Sequence, residues 1–167
     1  RKLRLVVDMR KINLAVRGNN RSVILSCADI AEEVANNALF LTSLDLRACF
    51  YGIRLDKKII DSGLVNILTP YGEYTLTRGV TGLNKLPIFL DAYMRKSLEI
   101  DSNGNYSPLP ACVRTFYDDV NMFTTSHVPY DFHLANFDTL LHRIDRSGFK
   151  LGIPKSRFCV DMRENTL

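Results

Sequence analysis

Two short strand-like runs, Val113 to Tyr117 and Val120 to Thr124, stand with only Asp118 and Asp119 between them. Two residues between β-branched and aromatic runs is the spacing of a tight hairpin, and so short a loop fixes the strand register. No other feature constrains the chain as strongly. It demands an antiparallel strand pair, and it sets two carboxylates at the tip.

The other segments read more simply. Phe40 to Leu46 alternates, with Phe40, Thr42, Leu44 and Leu46 on one face and Leu41, Ser43 and Asp45 on the other, the mark of a half-buried strand. Leu3 to Asp8 reads as a strand and Gly18 to Ser22 as a loop. Asp29 is expected to cap a helix, with Glu32 as capping-box partner and Ile30 and Val34 as its stripe. Thr69 to Tyr74 is a turn leading into a short strand. Pro87 suits the first turn of a helix with Leu86, Leu90, Tyr93, Met94 and Leu98 inside and Asp91, Arg95, Lys96 and Glu99 outside. Asp101 to Pro110 reads as an exposed loop. The longest helix is predicted from Tyr130 to Ser147, buried along Leu134, Phe137, Leu141 and Ile144 and stopped by Gly148. A strand-like piece, Phe149 to Val160, follows. Strands and helices mix without regular βαβ alternation, so the class is α+β.

At 167 residues and 46% apolar, the chain is one domain, or a piece of one, with enough material for a core. It opens on Arg1 without Met or a signal-peptide pattern, and reads as part of something longer. No apolar run reaches 18 residues, so no membrane span is predicted. The net charge of +4 suits a nucleic-acid partner and an ordinary solvated surface equally. The four cysteines form no C-x-x-C pair and the three histidines fall at no usual zinc spacing, which argues against structural zinc. Scattered cysteines fit a reducing compartment and a core role.

Asp45 near a strand end and Asp118-Asp119 at a hairpin tip converge if the two elements share a sheet. Three carboxylates on one edge disfavour one another's ionisation, and a divalent cation reverses that cost. Oxygen ligands of this kind suit Mg²⁺ or Mn²⁺, and two such ions can clamp a phosphoryl transfer. The residues alone leave a plainer alternative open, because Asp is common in turns for its own hydrogen bonding.

The surroundings narrow the choice. Phe116-Tyr117-Asp118-Asp119 resembles the Y-x-D-D box of reverse transcriptases, with Phe for the leading Tyr, and Ser43 to Tyr51 resembles the preceding metal-binding motif. Arg4 to Asn13 is similar to the fingers-strand motif of gypsy-type retrotransposons. Thr69 to Tyr74, Gly82 to Pro87, and Gly148 to Leu151 with Lys155 to Phe158 resemble three further boxes in the family's order. The resemblance covers nearly the whole chain. It implies a reverse-transcriptase palm, a split βαβ, ferredoxin-like antiparallel sheet backed by helices, with partial fingers. Residues 1–167 would form a single such fragment, without thumb or RNase H. The implied activity is RNA-directed DNA polymerisation by a gypsy-like long-terminal-repeat element, with Mg²⁺ (or Mn²⁺) as cofactor. An RNA or DNA template, a primer strand and dNTP would be the partners, with no membrane, in an intracellular, cytoplasmic setting.

By the same resemblance Asp45, Asp118 and Asp119 are catalytic metal ligands, with the backbone carbonyl of Leu46 as a further ligand. Arg4 would meet the incoming triphosphate through its guanidinium fork. Phe50 falls where the family places an aromatic gate against the 2′-hydroxyl. Gly82 would let backbone approach the template–nucleotide pair, and Lys155 would lie near the triphosphate. Without the family, Arg4 reads as a strand-edge cation, Phe50 as a core aromatic, Gly82 as a turn and Lys155 as part of a solvated face.

The chain also departs from its relatives. Gly79-Val80-Thr81 precedes Gly82 where Met-Pro-Phe or a Gln-containing variant is usual, Asn84-Lys85-Leu86 follows it, and Asp91 and Gly52 stand where Gln is frequent. Two rival readings follow: a decayed or domesticated copy serving as a nucleic-acid-binding or assembly module, and another palm-type enzyme such as a nucleotide cyclase.

Overall fold

The computed structural model describes residues 7–15, 26–101 and 103–164. Along them run α1 (Arg10–Ala15), α2 (Cys27–Asn37), β1 (Phe40–Asp45), α3 (Cys49–Gly52), α4 (Lys57–Asp61), β2 (Asn66–Thr69), β3 (Gly72–Thr75), α5 (Leu86–Leu98), β4 (Val113–Phe116), β5 (Asp119–Thr124), α6 (Tyr130–Arg146), a 3-10 turn (Ile153–Lys155) and β6 (Arg157–Asp161). The expected loop Gly18 to Ser22 and most of the expected strand Leu3 to Asp8 lie outside the described residues. Val7 and Asp8 take no regular structure.

Four strands form one sheet in the order β4-β5-β1-β6, and β2 and β3 form a separate hairpin. Every neighbouring pair in the larger sheet is antiparallel. β1 and β4 therefore run parallel with β5 between them, joined through α5, and β5 and β6 run parallel around β1, joined through α6. Two interlocked split βαβ units make the α+β, ferredoxin-like sheet backed by helices that the sequence predicts.

The alternation of β1 sets the two faces. Thr42, Leu44 and Leu46 are buried, and β5 presents Val120, Met122 and Thr124 beside them. Leu90, Met94 and Leu98 of α5 and Leu140 and Ile144 of α6 close this core. Each fully buried side chain of this size contributes about 1.5–3 kcal/mol. The opposite face carries Ser43, Asp45, Asn121 and Asp119, and it is this face that holds the site. α2 is tied to the sheet by Glu33, whose carboxylate accepts two bonds from Arg114 of β4, at 2.6 and 2.9 Å. Among the described residues no helix is long and apolar enough to cross a membrane.

Several expectations are corrected. The hairpin turn is Tyr117-Asp118, one residue earlier than predicted, because Asp119 pairs with Phe116 and opens β5. Ser26, not Asp29, caps α2: its hydroxyl accepts from the Asp29 amide, and the Asp29 carboxylate accepts from the Ser26 amide. On α5 Asp91 is buried at 2% exposure while Tyr93 is 45% exposed. On α6 the buried residues are His133, Leu140, Arg143 and Ile144, and Leu134 is exposed. Polar groups line that stripe because each is satisfied. His133 bonds the hydroxyls of Thr42 and Thr124 at 2.9 and 3.0 Å. Arg143 donates to the carbonyls of Leu98 and Ser107 at 3.0 and 2.8 Å. Phe149 to Val160 is not one strand, since a 3-10 turn interrupts it. All four cysteines are free; Cys49 is buried, whereas Cys27 is exposed.

Candidate active site

The hairpin and β1 bring the expected carboxylates to one edge. Asp45 and Asp119 are direct partners in the antiparallel register of β1 and β5, so their side chains leave the same face of the sheet. Asp118 occupies the turn next to them, and its carbonyl accepts the amide N–H of Leu46 at 2.9 Å. That bond ties the hairpin tip to the residue after Asp45. Tyr117, the first turn residue, takes a left-handed φ of 54°, where a two-residue hairpin usually places glycine or asparagine.

Asp45 is enclosed by a segment more than a hundred residues further along. The Gly152 amide donates to the Asp45 carbonyl at 2.7 Å. The Asp45 amide donates to Ser156 Oγ at 3.1 Å. Lys155 Nζ donates to Asp45 Oδ1 at 3.0 Å. A methyl group on Gly152 would overlap Asp45 Oδ2, so only glycine lets the 3-10 turn lie against the carboxylate.

The electrostatics are those of crowded negative charge. Burial first, then the charges of Asp118 and Asp45, push the Asp119 carboxyl above its ordinary range, and Lys155 opposes the shift. The Cys49 thiol is pushed up to about 12, by burial first and then by Asp118, Asp45 and Asp119 together.

A cation would relieve this crowding, and an all-carboxylate donor set suits a hard divalent ion. The side chains are not gathered as ligands, however: among the described residues no group of three His, Cys, Asp or Glu is arranged to hold a metal ion. Lys155 already engages one oxygen of Asp45. The residue types and their backbone placement thus fit a divalent cation, and the side-chain arrangement is one in which a lysine partly takes its place.

The other expected site residues fall as follows. Arg4 lies outside the described residues. Leu46 is buried, and its carbonyl accepts from Cys49 Sγ at 3.4 Å. Phe50 is half-buried against the core, and its neighbour Tyr51 lines a cleft of about 300 Å³ with Arg78, Val80 and Thr81. Gly82 has a φ of 106°, a conformation that favours glycine. The Asn13 side chain of α1 clamps its turn, donating to the Gly82 carbonyl at 2.8 Å and accepting from the Asn84 amide at 3.0 Å. Lys155 stands on Asp45, as described.

Sequence reading missed Gly152, Ser156 and Asn13. Gly152 falls between the quoted segments Gly148 to Leu151 and Lys155 to Phe158, and a glycine between Leu151 and Ile153 is the one local signal of a close approach.

No family model matches the chain, and no curated protein matches it. Solved structures do. The crystal structure of prototype foamy virus protease-reverse transcriptase, CSH mutant, superposes with a TM-score of 0.71 at 20% identity, over 92% of this chain and 19% of that one. The foamy viral protease-reverse transcriptase in complex with dsDNA gives 0.72 at 16% identity, over 94% and 30%. Its dRH form in complex with ds DNA gives 0.74 at 16%, over 95% and 25%. The chain spans less than a third of the length of each. At these identities the likeness establishes the fold alone, which is reverse-transcriptase-like.

Proposed function

We propose that this chain is the palm and part of the fingers of an RNA-directed DNA polymerase from a gypsy-like retroelement. It extends a primer on an RNA or DNA template with dNTPs. The observation that carries this reading is the register pair of Asp45 and Asp119, with Asp118 tethered beside it through Leu46. The presence of duplex DNA in two of the similar structures supports nucleic acid as the partner.

In the reaction the primer 3′-hydroxyl oxygen attacks the α-phosphorus, the bond to pyrophosphate breaks, and the hydroxyl proton passes to solvent. Asp45, Asp118 and Asp119 would hold Mg²⁺ or Mn²⁺. Such ions would supply positive charge to the attacking oxygen and to the departing pyrophosphate. The chain's own residues then do the positioning. Lys155, freed from Asp45, offers its ammonium to phosphate oxygens. Gly82 gives backbone access, and Phe50 limits space beside the sugar. Affinity for template and primer comes mainly from phosphate contacts and falls with salt.

A second reading has its own observation. Lys155 on Asp45, with no three-carboxylate arrangement among the described residues, suits a nucleic-acid-binding module that does no chemistry. Titration of the chain with Mn²⁺ separates the two. The polymerase reading expects saturable binding that is lost in Asp45→Asn and Asp118→Asn. The module reading expects no site-specific Mn²⁺ binding, with retention of an RNA/DNA duplex.

A further inference from the structure

β6 runs beside β1 with one residue too many. Leu41 faces Val160 and Ser43 faces Arg157, so Thr42 alone stands opposite both Phe158 and Cys159, which makes a β-bulge. Cys159 takes a left-handed φ of 49°, a conformation uncommon for any residue but glycine. The bulge decides which way the rest of the strand faces. Paired residues share a face, so Arg157 joins Ser43 on the side of Asp45. Phe158 turns toward α6, where its ring meets Phe137 at 5.9 Å. In an unbroken ladder Phe158 would stand beside Ser43 and Arg157 would turn to the core side.

What holds the bulge is buried beneath it. Thr42 is fully buried, and its hydroxyl accepts the Cys159 N–H at 3.0 Å, in the stretch where a bulge interrupts the ladder. The same hydroxyl bonds His133 Nε2 at 2.9 Å, and His133 Nδ1 bonds the Thr124 hydroxyl at 3.0 Å. His133 and Thr124 are buried as well. Three polar side chains inside an apolar core thus fix one oxygen under Cys159, and a satisfied network of this kind is rigid. The segment that leads into the bulge is the one that encloses Asp45. Ser156 Oγ accepts the Asp45 N–H at 3.1 Å, Lys155 Nζ donates to Asp45 Oδ1 at 3.0 Å, and the Gly152 N–H donates to the Asp45 carbonyl at 2.7 Å.

We propose that Thr42 is a positioning residue for the candidate site: its hydroxyl, held by His133, captures the Cys159 amide, fixes the bulge, and so sets Ser156, Lys155 and Gly152 against Asp45. A valine at this position would fill the same space and leave the amide without an acceptor. That Asp45 is catalytic rests on the reading above; that Thr42 sets the segment enclosing it does not.

The test is amide exchange of the whole chain, read residue by residue by NMR, in wild type, Thr42→Val, Thr42→Ser and Thr124→Val. In wild type the Cys159 amide should be protected at least about tenfold over an unstructured peptide. In Thr42→Val the Cys159, Asp45 and Gly152 amides should exchange about tenfold faster relative to Val120 and Met122. Thr42→Ser keeps the hydroxyl and should bring all three back to within about threefold of wild type. Thr124→Val removes a hydroxyl from the same network but not the acceptor under Cys159, so its loss of protection should spread over the sheet without favouring those three amides. An unprotected Cys159 amide in wild type would overturn the proposal, and that measurement needs no variant to fold. Equal acceleration across the sheet in Thr42→Val, no rescue by serine, or the same local pattern in Thr124→Val would overturn it as well. Mn²⁺ titration of the wild-type sample reports separately on the catalytic reading: a chain that binds no Mn²⁺ yet shows the local exchange pattern keeps Thr42 as positioning residue and loses the polymerase.

Discussion

Gly152 lies against Asp45 so closely that its amide donates to the Asp45 carbonyl at 2.7 Å and any side chain on it would overlap Oδ2. Its backbone φ is −89°, so alanine is conformationally acceptable there and the conflict is purely steric. Gly152→Ala should therefore displace the Asp45 carboxylate rather than unfold the chain. We expect a stability loss of about 1 kcal/mol or less with Mn²⁺ binding greatly weakened. Urea unfolding and a Mn²⁺ titration check this together. A variant that binds Mn²⁺ like wild type would show that the Asp45 carboxylate is free to leave its cradle.

Lys155 and a divalent cation compete for Asp45. The ion pair is 3.0 Å long and the lysine side chain is 69% exposed. A pair this open contributes little to stability, about 1 kcal/mol at most after solvent screening. Lys155→Met should leave the melting temperature nearly unchanged and tighten Mn²⁺ binding up to about fivefold, an effect that shrinks as salt is raised. Arg157→Met removes equal charge nearby and should change Mn²⁺ affinity less. Equal effects of the two substitutions would reduce the Lys155 contact to general electrostatics.

His133 makes stability depend on pH. It is fully buried, and burial pushes its pKa below the usual histidine value of 6.5. The folded chain holds it neutral, with one ring nitrogen donating and the other accepting between Thr42 and Thr124. Because the unfolded chain takes up the proton first, stability is full above pH 6.5 and falls as pH drops below it. His133→Phe should cost about 1–3 kcal/mol at pH 8, since the threonine hydroxyls lose a partner, and should flatten the decline between pH 7 and 5. Urea unfolding across that range tests both. Parallel decline in wild type and variant would assign the acid sensitivity to other groups.

The parts of the fold legible in the sequence are those governed by a period of two. The alternation of Phe40 to Asp45 and the short spacing between β4 and β5 fix which faces meet, so the shared edge of Asp45 and the hairpin follows. The turn lies one residue earlier than expected because Tyr117 reads as a strand aromatic, whereas it takes a left-handed φ of 54°. Burial of His133 and Arg143 is hidden for a related reason. A polar residue on an inward stripe reads as outward until its partners are known, and those partners lie on other strands, on a loop or at a helix end. Gly152 needed the opposite knowledge, that a residue 107 positions earlier would occupy the space its side chain lacks.

Templated primer extension tests the central claim most directly. The chain is mixed with a DNA primer on an RNA template, the four dNTPs and Mg²⁺ or Mn²⁺, and compared with Asp118→Asn. The variant removes one of several crowded charges and should fold as well as wild type or slightly better. The account predicts addition of the complementary deoxynucleotide by the wild-type chain, abolished by a chelator and absent in Asp118→Asn. Extension that survives Asp118→Asn, or no cation-dependent extension by a wild-type chain that holds the duplex, would contradict it.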